Sequence, residues 1–296
     1  MATQTELTPQ AQQILRALGL PSASLEPAES YSSAVWLTRD YVLHYHLNGP
    51  PGRLEHEARV AARLPLEALY PEVIAVGRDD EHDWLVTRRV PGIVLSAAWP
   101  WLTHAERRNA IHQAAAALRA VHSSPAQDLI PPCLLGGAPV MSRQALAEWL
   151  QPLGLPPAYA ALLAAADAPS AMTHGDFHFN QILWHKGRVT ALLDLEMSHV
   201  EAPDWDLGPF LTACLDPPQM VPDSLGGAAK PEDYRDAPAW LWEAYPEMFD
   251  YASLRDRLAL YAVVLRSREL IADPSRRQAI FDAAIAWANA FEPLLH

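Results

Sequence analysis

Residues 174–183 read HGDFHFNQIL and gather His174, Asp176, His178, Asn180 and Gln181 within one short segment. The flanks are apolar, with AYAALLAAADAPSAM before the segment and VTALLDLE after it. A carboxylate in that setting can accept a proton from a hydroxyl or orient it for attack. Asp194 ends the apolar run that follows, so a hairpin between the two would bring both carboxylates to neighbouring strand ends facing one cleft. With an amide oxygen from Asn180 or Gln181, they form the all-oxygen donor set that Mg2+ prefers. A base, a metal-binding acid and an amide are the parts that phosphoryl transfer needs, because its catalysis rests on positioning and charge neutralisation. A second chemistry is compatible with the same residues. His174, Asp176 and His178 alternate, and on a strand they would share a face where imidazole suits zinc, although no further His/Asp cluster follows to complete a shell.

The elements that must position these residues fall into two groups. AVWLTRDYVLHYHL reads as two short strands around a turn at Thr38 to Asp40, rich in β-branched and aromatic residues. LEHEARVAARL is helical, with Leu54, Ala58, Ala61 and Leu64 able to share a face. EVIAVGRDDEHDWLVTRRV reads as strand, acidic turn and strand, and Pro91-Gly92 then breaks the pattern. Beyond that point helices dominate. Thr103 is the expected N-cap of HAERRNAIHQAAAALRAVHS, and SRQALAEWLQPL, PAYAALLAAA and two C-terminal helical stretches follow. QILWHKGRVTALLDLE reads as a hairpin turning at Lys186 and Gly187. The expectation is an α+β chain. A sheet-rich N-terminal lobe carrying one helix, residues 1–91, meets a larger and mainly helical lobe, residues 92–296, through a hinge near residues 88–92.

The chain has 296 residues, half of them hydrophobic and 19% charged, which allows a substantial core. Its formal charge of −13 argues against nucleic acid, whose phosphates need a basic surface, and suits a neutral or cationic small-molecule partner. No stretch approaches the ~18 apolar residues of a membrane span. The start MATQTELTPQ lacks a signal pattern, and the two cysteines form no disulfide framework, so a cytoplasmic protein with no membrane partner is expected. Lys186 and Lys230 are the only lysines.

THGDFHFNQILW together with VTALLDLEMSHVEAPDWDL resembles the aminoglycoside phosphotransferase and choline-kinase-like family, which has a protein-kinase-like two-lobed fold. The family motif is H-G-D-x-x-x-x-N, then an Asp on the next strand, then D-P-x-x-D-L. His174, Gly175, Asp176, Asp194, Pro203, Asp206 and Leu207 match, with Ala202 in place of an Asp. The resemblance implies a kinase that moves a phosphoryl group from ATP or GTP, with Mg2+, to a hydroxyl of a small molecule. Asp176 would then be the catalytic base and Asp194 the principal Mg2+ ligand. Glu57 would orient the phosphate-binding basic residue, and His174 would brace the catalytic loop. Backbone groups at Arg88, Arg89 and Val90 would receive the adenine, and Asp206 would tie the loop down.

Two positions depart from that pattern. Gln181 stands where the family has Asn, with Asn180 one place early, so either amide is a candidate metal ligand. The expected phosphate-binding lysine is replaced by His44, or by His46 in a slipped register, and no lysine precedes Lys186. Pairing with Glu57 would raise the His44 pKa and restore positive charge. The loop ESYSSAVW lacks the expected glycine, leaving the Ser32 and Ser33 hydroxyls as candidate phosphate donors. These departures motivate an alternative, a kinase-like pseudoenzyme that binds a ligand or protein without transfer. The stretch from Leu215 to Trp242 is expected to wall the acceptor side. Its carboxylates, among them Asp216, Asp223, Glu232, Asp233 and Asp236, with Glu243 just beyond it, are either a solvated face or a rim for a cationic substrate.

Overall fold

The computed structural model describes residues 4–28, 33–47, 50–79, 82–126, 128–133, 170–217, 229–266, 269 and 272–291. Ser32, the runs SRQALAEWLQPL and PAYAALLAAA, and residues 218–228 lie outside the described residues.

The first lobe is built on a five-stranded antiparallel sheet. Its strands are β1 (Glu26–Ala28), β2 (Ser33–Leu37), β3 (Tyr41–His46), β4 (Val73–Arg78) and β5 (Asp83–Arg88), in the order β1-β2-β3-β5-β4. Thr38 closes the β2–β3 turn, its hydroxyl accepting from the Tyr41 N–H at 2.9 Å. Side chains alternate along a strand. Leu43 and Tyr45 of β3 are buried in a core with Trp36, Val86 and the Ala11–Leu15 face of α1 (Thr8–Ala17). His44 and His46 point the other way, where His46 meets the first residue of α2 (Arg53–Ala61). The helix α1 was not anticipated: its buried residues Ala11 and Leu15 are diluted by glutamines.

The passage into the second lobe is tightly docked. The Arg88 and Arg89 amides donate to Glu72 O at 2.8 Å and Asp40 O at 2.9 Å. The Pro91 carbonyl then accepts from the Thr190 hydroxyl at 2.7 Å. Gly92 has φ +147°, and a Cβ there would sit 3.1 Å from both Thr190 Oγ1 and the Trp184 carbonyl, so only glycine suits the position. Strand β6 (Ile93–Val94) pairs at once with β8 (Ile182–His185), which pairs with β9 (Arg188–Leu192). Lys186 (φ 47°) and Gly187 (φ 84°) make the two-residue turn with both residues left-handed, as a tight hairpin requires.

The second lobe surrounds α4 (His104–His122), which follows the short helix α3 (Leu95–Ala98). Thr103 and Glu106 form a reciprocal capping box at the start of α4. Its buried face, Ala110, Ile111, Ala114, Leu118 and Val121, repeats with helical spacing. The remaining elements are β7 (Ala171–Met172) paired with β10 (Val200–Glu201), α5 (Leu207–Leu215), α6 (Ala237–Ala244), α7 (Leu254–Leu265) and α8 (Arg277–Ala290). Phe177 and Phe179 both stack on Phe210 of α5, which seats the segment around Asp176 on the core. Arg257 of α7 grips the buried Asp204 carboxylate through Nε and Nη2, the latter at 2.8 Å, and Tyr261 completes the cluster. Val60 of α2 belongs to this second core, so α2 is shared between the lobes. Among the described residues no helix is long and apolar enough to cross a membrane.

Candidate active site

The polar segment is a loop following β7, not a strand, and its shape is set by a buried carboxylate. Asp206 accepts from the His174 N–H at 2.7 Å and the Gly175 N–H at 2.8 Å, and His122 Nε2 lies 2.9 Å from the same group. Burial opposes a charge on Asp206, but the bond to His122 and the neighbouring histidines outweigh it and hold its pKa below the usual range. Gly175 has φ +89°, and a Cβ there would collide with the Met197 carbonyl. His174 Nδ1 accepts from the Asp176 N–H at 3.4 Å, so this imidazole shapes the turn.

Asp176 and Asp194 meet through one side chain. Gln181 Nε2 donates to Asp176 Oδ2 at 3.3 Å and to Asp194 Oδ2 at 3.2 Å. His178 Nε2 lies 3.4 Å from Asp176 Oδ2, while its Nδ1 accepts from the Asn180 N–H at 3.2 Å. Burial works against the Asp176 charge, but His178, His174 and the Gln181 bond prevail and keep its pKa low. The His178 pKa is raised, because the pull of Asp176 exceeds the cost of burial. Asp194 goes the opposite way, raised first by burial and then by repulsion from Asp176. Its backbone has φ +63°, a left-handed conformation that aspartate adopts more readily than most residues and that is often found at functional positions.

The Asn180 amide oxygen accepts from Ser96 of α3 and is committed there, so Gln181 is the amide that belongs with the carboxylate pair. A half-turn of the Gln181 amide exchanges its nitrogen for its oxygen. Asp194, Asp176 and that oxygen are then a hard-oxygen donor set with excess negative charge, which fits Mg2+. The zinc alternative does not fit. His174, Asp176 and His178 share no strand face, and among the described residues no three His, Cys, Asp or Glu side chains come together as a zinc shell would need.

The first lobe supplies a second set of groups. Glu57 of α2 is buried, and its Oε1 accepts from the Leu195 N–H at 3.0 Å and the Tyr70 hydroxyl at 2.7 Å. Burial, then repulsion from Asp194, pushes its pKa up to about 7 against those two bonds. The expected pairing of Glu57 with His44 is corrected by this arrangement, since Glu57 holds the residue beside Asp194 instead. The expected rise in the His44 pKa is also corrected. Burial lowers it, and the opposing attraction of Asp194 is too weak to compensate. His46, pulled to about 4 by burial and by Arg53, is no cation either. Ser33 opens β2 opposite His46. Among the backbone groups expected to receive the adenine, the Arg88 and Arg89 amides are engaged within the first lobe.

Much of the acidic face expected as a substrate rim is used internally. Asp233 bonds Arg107 at 2.7 Å, Asp236 bonds His104 at 3.1 Å, and Glu243 bonds Arg108 and His112, all on α4. Sequence reasoning missed Arg53, Glu196 and Tyr70. Arg53 Nη2 donates to Glu196 Oε1, joining α2 to the segment after Asp194. Glu196 is raised to about 9 by burial and by Asp194, despite Arg53. Its place two residues after Asp194 was the only available signal.

A family model described as "Phosphotransferase enzyme family" matches residues 24–245. An aminoglycoside 3'-phosphotransferase from Streptomyces fradiae is 32% identical over 181 residues, covering 50% of this chain. The match spans 66% of that relative, just under two thirds of its length. Among solved structures, aminoglycoside phosphotransferase APH(4)-Ia aligns over 95% of this chain and 98% of its own, with TM-score 0.59 and 18% identity. The GDP complex of an aminoglycoside 2'-phosphotransferase aligns over 94% and 98%, with TM-score 0.58 and 15% identity. At such identities the likeness is one of fold, the two-lobed protein-kinase-like α+β architecture described above. With the family model spanning well over half of the sequence, the chain belongs to the phosphotransferase enzyme family.

Proposed function

We propose that this chain is a small-molecule kinase that transfers the γ-phosphoryl group of ATP or GTP, with Mg2+, to a hydroxyl. The observation that carries the reading is the Gln181 amide bonded to both Asp176 and Asp194, which unites a low-pKa carboxylate with a second, electrostatically strained one. In this reading Asp176, kept ionised by His178, accepts the acceptor hydroxyl's proton. The hydroxyl oxygen bonds to the γ-phosphorus as the bond to the bridging oxygen breaks, and that oxygen leaves with the nucleoside diphosphate. Asp194 and the Gln181 oxygen would hold Mg2+, which neutralises phosphate charge when bound. Asp206 fixes the loop carrying Asp176, and Glu57 fixes the segment after Asp194. The purine would rest near Val90, with residues 1–91 as the nucleotide lobe and 92–296 as the acceptor lobe.

The relatives named above act on aminoglycosides by name, and solved neighbours hold ADP with hygromycin B or GDP. A net charge of −13 is in keeping with an amino-bearing, polyhydroxylated acceptor and with work in the cytoplasm, where nucleoside triphosphates are supplied. The test is phosphate transfer from ATP and GTP to a panel of aminoglycosides and amino alcohols, with Asp176→Ala beside the parent chain. Loss of transfer with folding intact is expected, and transfer retained by that variant overturns the assignment of Asp176.

The absence of lysine from the first lobe favours a second reading, a kinase-like binding protein without transfer. Thermal unfolding with nucleotide and Mg2+ separates the two. A ligand at 100 times its Kd adds about 2.7 kcal/mol, whereas no shift with either nucleotide supports the pseudoenzyme.

A further inference from the structure

We propose that Arg53, the first residue of α2, is the cation that engages the nucleotide's polyphosphate in this chain, from the helix rather than from the strand position where a lysine would stand. The proposal rests on the phosphotransferase reading above and concerns how that site manages without a lysine. His44 occupies the strand position, and no lysine precedes Lys186. Arg53 is 8% exposed and lies between the two lobes. Its Nη1 is 3.0 Å from His46 Nε2, on the same β3 face as His44, and its Nη2 donates to Glu196, two residues beyond Asp194. Met197 Sδ lies 3.6 Å from Nη2.

Two observations take Arg53 beyond a structural ion pair. Its buried Nε has no acceptor among the described residues, and such donors are rare in folded chains. Its charge also reaches Asp194, Glu57 and Glu196 alike. Of the two imidazoles that also act on Asp194, burial disfavours a charge on His44, and His178 is engaged by Asp176. A guanidinium stays charged at every working pH and presents a planar fork of donors matched to phosphate oxygens.

The experiment compares ADP with adenosine by titration calorimetry at fixed Mg2+, using the parent chain, Arg53→Met, Arg53→Lys and Arg53→Met/His44→Lys. Arg53→Met is expected to weaken ADP roughly 10- to 100-fold while leaving adenosine within about two-fold. A lysine supplied at position 44 should recover much of the loss, and Arg53→Lys should fall between. Arg53→Met/Glu196→Gln removes both halves of the buried pair and is read in place of the single variant if that one unfolds. An unchanged ADP-to-adenosine ratio in Arg53→Met overturns the proposal, as does an equal loss for both ligands, which would mark a purely structural role. If the parent chain binds ADP no better than adenosine, the phosphotransferase reading falls as well. A parent preference for ADP that survives the substitution removes only Arg53.

Discussion

The Glu57 carboxylate accepts a 3.0 Å hydrogen bond from the Leu195 N–H, across 138 positions of sequence. The same oxygen accepts from the Tyr70 hydroxyl at 2.7 Å. One buried atom therefore fixes α2 against the residue adjoining Asp194. Glu57→Gln keeps a carbonyl oxygen for both donors and should cost under about 1 kcal/mol. Glu57→Leu leaves a buried N–H and O–H unpaired and should cost about 2–4 kcal/mol. Urea unfolding of both variants measures the difference, and equal losses would show that the oxygen is not what holds α2.

Gly175 and Gly187 offer a matched pair of substitutions. Both have left-handed φ, +89° and +84°, but only a Cβ at Gly175 meets backbone, the carbonyl of Met197. Gly187→Ala should cost about 1 kcal/mol. Gly175→Ala should cost more than about 2 kcal/mol and slow phosphate transfer as well, because Asp176 must shift with the loop. Thermal unfolding and a transfer assay on the two variants check this.

Acid should weaken the fold through His56. This buried side chain donates from Nε2 to the Ser198 carbonyl at 2.7 Å, and burial lowers its pKa to about 4 even against that bond. The unfolded chain takes up a proton here near pH 6.5, whereas the folded chain refuses it until about pH 4. The stability tied to neutral His56 is complete above pH 6.5 and drains away as the pH falls to 4, reaching roughly 3 kcal/mol. His46, lowered to about 4 by burial, drains over the same window. His56→Gln should flatten part of this limb, seen as a smaller drop in urea midpoint between pH 7 and pH 4.5.

The Arg257–Asp204 pair should behave as a buried unit. Arg257→Met strands a carboxylate that is 0% exposed and should cost about 3–5 kcal/mol. Adding Asp204→Asn should recover a large part of that loss. A double-mutant cycle by chemical denaturation gives the coupling, and additive losses would contradict it.

Local signals carried much of the architecture. Thr103 and Glu106 announce the start of α4 because a capping box is complete within four residues, and Lys186-Gly187 announces its turn for the same reason. The pairing of Asp176 with Asp194 was legible from the motif, but the choice between Asn180 and Gln181 as their amide was not. What stayed hidden depends on partners far away in sequence. Nothing near Asn180 says that Ser96 takes its oxygen, and nothing near Glu57 names Leu195 as its donor. His44 was misjudged because a charge expectation drawn from a neighbour ignored burial, which is a property of the whole lobe. The two-residue strands β7 and β10 are too short to show alternation at all.

The docking of Pro91 and Gly92 restricts how the molecule can open. Thr190 clasps the Pro91 carbonyl, and Gly92 lies against Trp184, so the chain from Pro91 onward is attached to the second lobe. The Arg88 and Arg89 amides are fastened to the first lobe in the same way. Few bonds, those around Val90, lie between these two attachments. A purine seated against Val90 would meet a stretch of chain fastened to both lobes at once, bridging the two sheets without touching either carboxylate.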